Sequence, residues 1–201
     1  MENSVNTAVL CGYVAEKPTL SHENHGRRFY RFTLEVPRLS GVCDLLPITV
    51  GEDLLATTLV EEGERVLVTG QIRTFNNRAP QGRKLIISVF ADSLSVCDED
   101  EENSILLTGA LCKAPTLRRT PLGRDICDVM LAVSRKYHRT DYIPCILWGT
   151  VAQDVASLPV GAKLSLRGRL QSRNYLKVLP EYTEERTAYE VSVMEAEPIW
   201  E

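Results

Sequence analysis

The sequence of 201 residues has no long hydrophobic segment, because nowhere do 18 consecutive apolar side chains occur. The opening residues MENSVNTAVLCGY carry neither the basic stretch nor the apolar stretch of a secretion signal. A helix needs about 20 apolar residues to cross a bilayer, so we expect no membrane span and no membrane partner. A cytoplasmic location is the expectation that follows.

Side-chain sets for metal binding or catalysis are also missing. The six cysteines stand singly, without C-x-x-C or C-x-H spacing, so neither a zinc site nor a disulfide framework is predicted. His138 has no nucleophile or second carboxylate beside it, and no Ser-His-Asp set or glycine-rich phosphate loop can be assembled. We therefore predict that the protein is not an enzyme and holds neither a metal ion nor a cofactor.

One phrase is present twice, as VLCGYVAEKPTL at 9–20 and as LLTGALCKAPTL at 106–117. Gly12 in the first phrase matches Gly109 in the second, at an offset of 97 residues. Solenoid repeats recur about every 20 to 50 residues, so a period this long indicates two copies of a whole domain.

The match continues along the chain, since Asp44 and Asp141 stand at the same offset. Between the copies lies the acidic block CDEDEE, which is typical of a solvated linker. We expect a first domain at 4–97, an acidic linker at 98–102 and a second domain at 103–201.

Within each copy the apolar residues alternate with a period of two, which predicts β-strands. The expected strands are 5–14, 28–36, 45–50, 65–74 and 84–95, and then 104–112, 125–133, 142–148, 163–172 and 187–195. One short helix separates the third and fourth strands of each copy. The predicted fold class is all-β with one short helix per domain, as two tandem five-stranded OB-fold barrels. Periodicity alone leaves other small barrels possible.

The second copy resembles the bacterial single-stranded DNA-binding protein family over nearly its whole OB domain. The resemblance is carried by ordered motifs at compatible spacing: GALCKAPTLRRTPLG, VMLAV, DYIPCILWG, VAQDVASL and VGAKLSLRGRLQSRNY. The first copy is a weaker relative, with GEDLLATTLVEEGERVLVTGQIRTF in place of the last two motifs.

This resemblance implies that single-stranded DNA is the partner of the second copy. Aromatic platforms for stacked bases are expected at Tyr137, Tyr142, Trp148 and Tyr175. Phosphate contacts are expected from the surrounding cations Arg135, Lys136, Arg139, Arg167, Arg169, Arg173 and Lys177. Two simpler interpretations stay open: Tyr142 and Trp148 as core or interface packing, and the arginines as a solvated outer face.

The first copy departs from the family pattern where stacking would occur. Leu45 stands at the position of Tyr142, Asn77 stands at that of Tyr175, and the third strand ends without a tryptophan. We expect this copy to act mainly as a structural or pairing partner. Auxiliary DNA contacts are expected at most from Arg73, Phe75, Arg78, Arg83 and Lys84.

The resemblance also bears on assembly. Two OB domains per chain suggest a homodimer with four, although internal pairing of the two copies would allow a monomer. The sequence ends at EAEPIWE without the acidic recruitment tail of the family, and residues 198–200 are expected to pack on the domain or to form a short docking peptide. Because the net charge is −4, the alternative function is an OB-fold protein-interaction module or primosome-type accessory factor.

Overall fold

A computed structural model describes residues 4–77, 85–180 and 182–200. It contains the same order of elements twice: four strands, a short helix and two strands. The elements of the first repeat are β1 (Asn6–Val14), β2 (Thr19–Asn24), β3 (Arg27–Pro37), β4 (Cys43–Gly51), α1 (Glu52–Thr57), β5 (Arg65–Asn76) and β6 (Leu85–Val96). Those of the second are β7 (Glu102–Leu111), β8 (Thr116–Arg119), β9 (Asp125–Arg135), β10 (Arg139–Trp148), α2 (Gly149–Ala156), β11 (Lys163–Val178) and β12 (Thr183–Ile199).

Alternating burial defines the inside of each barrel. On β3 the side chains of Phe32, Leu34 and Val36 are each at most 1% exposed, whereas Arg31 between two inward positions is exposed. Every second side chain of a strand points to the same face, so these residues form the apolar core of the first barrel. The matching residues on β9 of the second repeat are buried in the same way: Cys127, Val129, Leu131 and Val133.

Each repeat closes into a barrel through the same pairings. In the first repeat β1 pairs with β5 and β3, β3 pairs with β4, and β6 pairs with β5, all antiparallel. The barrel is completed by the parallel pairing of β4 with β6, at Ile48 and Val89. This is the OB-fold arrangement, and the expectation of an all-β fold with two tandem OB barrels is confirmed. The structure adds one short strand per repeat that was not predicted, because β2 and β8 form hairpins with β3 and β9.

The two barrels are joined edge to edge within the chain. Strand β1 pairs antiparallel with β7 over six residue pairs, from Asn6 opposite Leu107 to Cys11 opposite Glu102. The twelve strands therefore form one continuous sheet. The domain bounds derived from the sequence stay a prediction, although β6 ends at Val96 and β7 begins at Glu102.

Strands β11 and β12 run beyond the predicted bounds and form a long two-stranded arm that ends with Val178 opposite Thr183. A β-bulge between Arg167 and Gly168 shifts the register of β11 against β12. A Cβ at Gly168 would lie 2.2 Å from the carbonyl oxygen of Ser192, so the close approach of the two backbones requires glycine.

Strand β12, which pairs with β11 in the arm, continues almost to the last described residue. Ile199 lies opposite Lys163, whereas Trp200 is 81% exposed. Pro198 and Ile199 pair with β11 but are exposed, so packing of residues 198–200 on the domain and their use as a docking peptide both stay predictions. Over the described residues, the helices are too short and too polar to traverse a bilayer.

Candidate nucleic-acid interface

Strand β10 places two aromatic side chains on the outside of the second barrel. Ile143 and Leu147 point into the core and are at most 1% exposed, whereas Tyr142 and Trp148 are 44% and 39% exposed. The two rings share one face because they stand six residues apart on an alternating strand. They are therefore surface aromatics of the second barrel and not part of its core.

Strand β11 adds cations and a third ring to this face. Arg169 lies opposite Ser192 on β12, and the Ser192 hydroxyl accepts a hydrogen bond from Trp148 Nε1 at 3.2 Å. Opposite residues of an antiparallel pair lie on the same face, so Arg169 and Trp148 are on the same side of the sheet. Further along β11 the same side continues through Arg173, Tyr175 and Lys177. The guanidinium of Arg173 lies 5.9 Å from the ring centroid of Tyr175.

Carboxylates accompany some of these cations. Glu190 Oε1 lies 3.7 Å from Arg173 Nε, and Glu195 Oε2 lies 3.5 Å from Arg167 Nε. For Arg169 and Lys177 no carboxylate partner is present in the part of the chain that the structure describes. We refer to the surface of Tyr142, Trp148, Arg169, Arg173, Tyr175 and Lys177 as the second-repeat face.

A tight turn at Lys136–His138 presents the fourth predicted ring. Tyr137 is 89% exposed, and both Tyr137 (φ 62°) and His138 (φ 54°) have left-handed backbone conformations. Such conformations are unfavourable for residues with a Cβ, and they are often found where a functional loop is held in place. The turn follows β9 directly and holds the Tyr137 ring in solvent, away from the core.

Arg135 is placed differently from the other predicted phosphate contacts. Its side chain is 17% exposed, and its Nε lies 2.9 Å from Oδ2 of the fully buried Asp141, although the N–H is not aligned for a hydrogen bond. The first repeat supplies the remaining partners of this carboxylate. The Thr74 backbone N–H donates to Asp141 Oδ1 at 2.7 Å, and Arg73 Nη1 lies 3.4 Å from Oδ2. Arg135 is therefore part of the contact between the repeats.

The matching residues form an equivalent contact in which the two repeats exchange roles. Asp44 in the first repeat is 2% exposed and accepts a hydrogen bond from the Ser172 backbone N–H of the second repeat at 2.7 Å. Arg38 Nε donates to Asp44 Oδ2 at 2.8 Å, and Arg38 Nη2 donates to the Ser172 carbonyl at 3.1 Å. The two repeats are thus related by an approximate two-fold exchange of partners. Strand β4 is fixed against β11, and β10 is fixed against β5.

A cleft of about 760 Å³ lies between the repeats at one of these two contacts. Its basic lining consists of Arg73 from the first repeat and of Arg135, Lys136 and Arg139 from the second, together with Tyr137. Burial lowers the pKa of the Arg135 guanidinium, Asp141 opposes this shift, and the positive charges of Arg73 and Arg139 lower the pKa further. The cleft therefore holds more positive charge than the single carboxylate Asp141 neutralises.

The auxiliary residues predicted in the first repeat are only partly described. Phe75 is 49% exposed near the end of β5, and Arg73 lines the cleft. The other three predicted residues, Arg78, Arg83 and Lys84, lie outside the described residues. At the position of Tyr142 the first repeat exposes Leu45, which is 47% exposed.

Sequence reasoning missed the residues that hold the site in place. Asp141, Thr74 and Ser192 had no assigned role, yet the first two connect the repeats and the third fixes the Trp148 indole. The recurrence of Asp44 at Asp141 was a signal for the first of these roles. A carboxylate that recurs at an inward strand position needs a buried partner, and a repeat boundary is where that partner can come from another domain.

The fold and this surface define a two-barrel OB-fold protein with an aromatic and cationic outer face on its second barrel. A model of the single-strand binding protein family matches residues 102–199. Through these residues the second barrel is similar to members of the single-strand binding protein family.

Curated relatives resemble part of the chain, and a solved structure shares its fold. The single-stranded DNA-binding protein of Bacillus cereus is 39% identical over 80 residues, which cover 36% of this chain and 47% of that protein. The single-stranded DNA-binding protein A of Bacillus subtilis is also 39% identical, with 46% of its length covered. The chain thus spans about half the length of these relatives. The wild-type single-stranded DNA-binding protein of Thermus aquaticus has the same two-barrel fold, with a TM-score of 0.81, 20% identity and coverage of 100% of this chain and 95% of that one.

Proposed function

We propose that the protein binds single-stranded DNA without sequence preference, and performs no chemistry on it, in DNA replication, repair or recombination. The observation that carries the proposal is the second-repeat face, where exposed Tyr142 and Trp148 share one side of the sheet with Arg169. Each base stacked on an aromatic side chain contributes about 1–3 kcal/mol, and cations along the groove neutralise the phosphates. The descriptions of the Bacillus relatives name single-stranded DNA as what those proteins bind.

The two repeats have different parts in this proposal. The second repeat, 103–201, carries the main site, with Tyr137, Lys136 and Arg139 extending it to the edge of the interdomain cleft. The first repeat, 4–97, serves mainly as the pairing partner that holds the second, and Arg73 and Phe75 add auxiliary contacts. The segment 98–102 connects them. Arg135 acts indirectly, because its charge is directed at Asp141.

Assembly into a homodimer with four OB barrels is the second part of the proposal. Strands β1 and β7 already pair within one chain, so a second chain has to dock on another surface. Sedimentation equilibrium should then return twice the mass of one chain, and a single-chain mass at micromolar concentration would contradict the dimer.

Titration with oligo(dT) tests the DNA-binding proposal directly. The chain has two tryptophans, so Trp200→Phe is introduced first to leave Trp148 as the only indole. We expect oligo(dT) to quench the fluorescence of Trp148, because a base stacks on its ring. Each neutralised phosphate contributes about −0.7 to the slope of log K against log salt on a single strand, so we expect a slope steeper than about −2.

Two outcomes would contradict the proposal. The first is unchanged fluorescence at low salt together with no retarded complex on a gel, as expected of a protein-interaction module. The second is binding that does not depend on salt, because phosphate neutralisation would then be absent.

A further inference from the structure

The first repeat carries a cluster of aromatic rings on the outside of its barrel. The rings of His22 on β2 and Phe29 on β3 are stacked, with centroids 5.0 Å apart and an interplanar angle of 15°. Phe90 on β6 lies next to them, 5.8 Å from Phe29 at an angle of 47°. His22 is exposed and the two phenylalanines are half-buried. Since the inward residues of β3 begin at Phe32 and continue with period two, this cluster does not belong to the core.

The register of the strands places this cluster where Trp148 lies in the second repeat. Trp148 stands opposite Ile126, and its indole N–H donates to Ser192. In the first repeat the residue at the position of Trp148 is Gly51, and it stands opposite Phe29. Phe29 therefore occupies the position of Ile126.

Phe90 corresponds to Ser192 by the same reasoning. Gln71 on β5 stands opposite Phe90, just as Arg169 on β11 stands opposite Ser192. Each pair is preceded by a β-bulge and by the glycine that follows it, and this glycine contacts the partner backbone closely. The two residues that flank Trp148 in the second repeat are thus replaced by aromatic rings in the first. An aromatic surface is present at the same place on both barrels, but it comes from different strands.

Cations surround the cluster. The guanidinium of Arg27 lies 6.0 Å from the ring centroid of Phe29, and its Nη2 lies 3.0 Å from Asp53 Oδ1. Arg31, on the same outer side of β3 as Phe29, donates from Nη2 to the Ser21 hydroxyl at 3.2 Å. Aromatic rings interleaved with arginines are the features that bind a single strand irrespective of its sequence. Because Asp53 neutralises part of the charge, this surface should bind more weakly than the second-repeat face.

We propose that the outer surface formed by His22, Phe29 and Phe90, with Arg27 and Arg31, is a second site for single-stranded DNA. The proposal takes its ligand from the proposed function, but it does not require the second-repeat face to be intact. The proposal gives the first repeat a role in DNA binding in addition to pairing, since bases would stack on both barrels of one chain.

The test uses the full chain with the second-repeat face disabled by Tyr142→Ala and Trp148→Leu. Fluorescence anisotropy of fluorescein-labelled oligo(dT) at low salt should still show binding. Adding His22→Ser and Phe90→Leu should weaken this residual binding by about 5- to 150-fold, the loss expected for one stacked base. Tyr13→Leu in the same background is the matched control, because Tyr13 is a 39% exposed ring of the first repeat that lies beside Arg65 and away from the cluster.

The outcomes separate this proposal from the function on which it rests. Loss of all binding in the disabled chain, while the intact chain quenches Trp148, would overturn the second site and leave the proposed function standing. Residual binding that changes no more with His22→Ser and Phe90→Leu than with Tyr13→Leu would also overturn it. Far-UV circular dichroism and urea midpoints equal to those of the parent chain show that a loss of binding is not a loss of fold.

Discussion

Replacing Tyr142 by alanine and Trp148 by leucine in one chain should lower the affinity for oligo(dT) by about 30-fold or more. Two stacks of about 1–3 kcal/mol each are lost, and every 1.4 kcal/mol corresponds to a factor of ten. Both side chains are partly exposed, so the free energy of unfolding should change little. Because the variant lacks Trp148, the affinity is measured by anisotropy of a labelled oligonucleotide.

The control for this experiment is Trp200→Phe, which removes an indole that is 81% exposed at the end of β12. Its affinity should match that of the parent chain. If the double variant binds as tightly as this control, the second-repeat face does not stack bases and the assignment of Tyr142 and Trp148 is wrong.

Replacing Asp141 by alanine should destabilise the protein by about 3–5 kcal/mol, the range measured when one member of a buried ion pair is removed. The carboxylate is 0% exposed, and its loss leaves Arg73 and Arg135 without their counter-charge. The Thr74 backbone N–H also loses its acceptor. Urea unfolding followed by circular dichroism measures the change in the free energy of unfolding.

A second variant of Asp141 separates its charge from its hydrogen bond, and a variant at an exposed ion pair serves as the control. Asp141→Asn keeps an oxygen that can accept from Thr74 and removes only the charge, so its effect should be smaller. Asp128→Ala breaks the exposed pair with Arg118 and should cost about 1 kcal/mol or less. Equal effects of Asp141→Ala and Asp128→Ala would contradict a structural role for the interdomain contact.

The barrels could be predicted from the sequence because their inward residues alternate without interruption. Phe32, Leu34 and Val36 fix one face of β3, and the chain repeats the pattern at Cys127 to Val133. The end of the arm could not be predicted in this way, since beyond residue 172 most side chains of β11 are exposed and they show no apolar period. Its strands are held by the pairing of β11 with β12, which the pattern of one segment does not contain.

The site could be predicted only in part. The spacing of Tyr142 and Trp148 put both rings on one face, but whether that face was inside or outside depended on Asp141, whose burial follows from Thr74 in the other repeat. Arg135 appeared equivalent to Lys136 for the same reason, because nothing local indicates that Asp141 is buried against Arg73, 68 residues earlier in the chain. The aromatic cluster of the first repeat was not predicted, because Phe90 corresponds to Ser192 through strand register and not through the 97-residue offset between the two copies.

The ladder between β1 and β7 also determines how the paired barrels respond to dilution. Barrels on separate chains would come apart as the concentration falls, because their association is bimolecular. Here the short segment between Val96 and Glu102 keeps the two edges together at a high effective concentration that no dilution changes. A single chain at nanomolar levels therefore still presents two unlike barrels in one fixed orientation. Each barrel is free to diverge in sequence along this edge, because the edge never has to pair with a copy of itself.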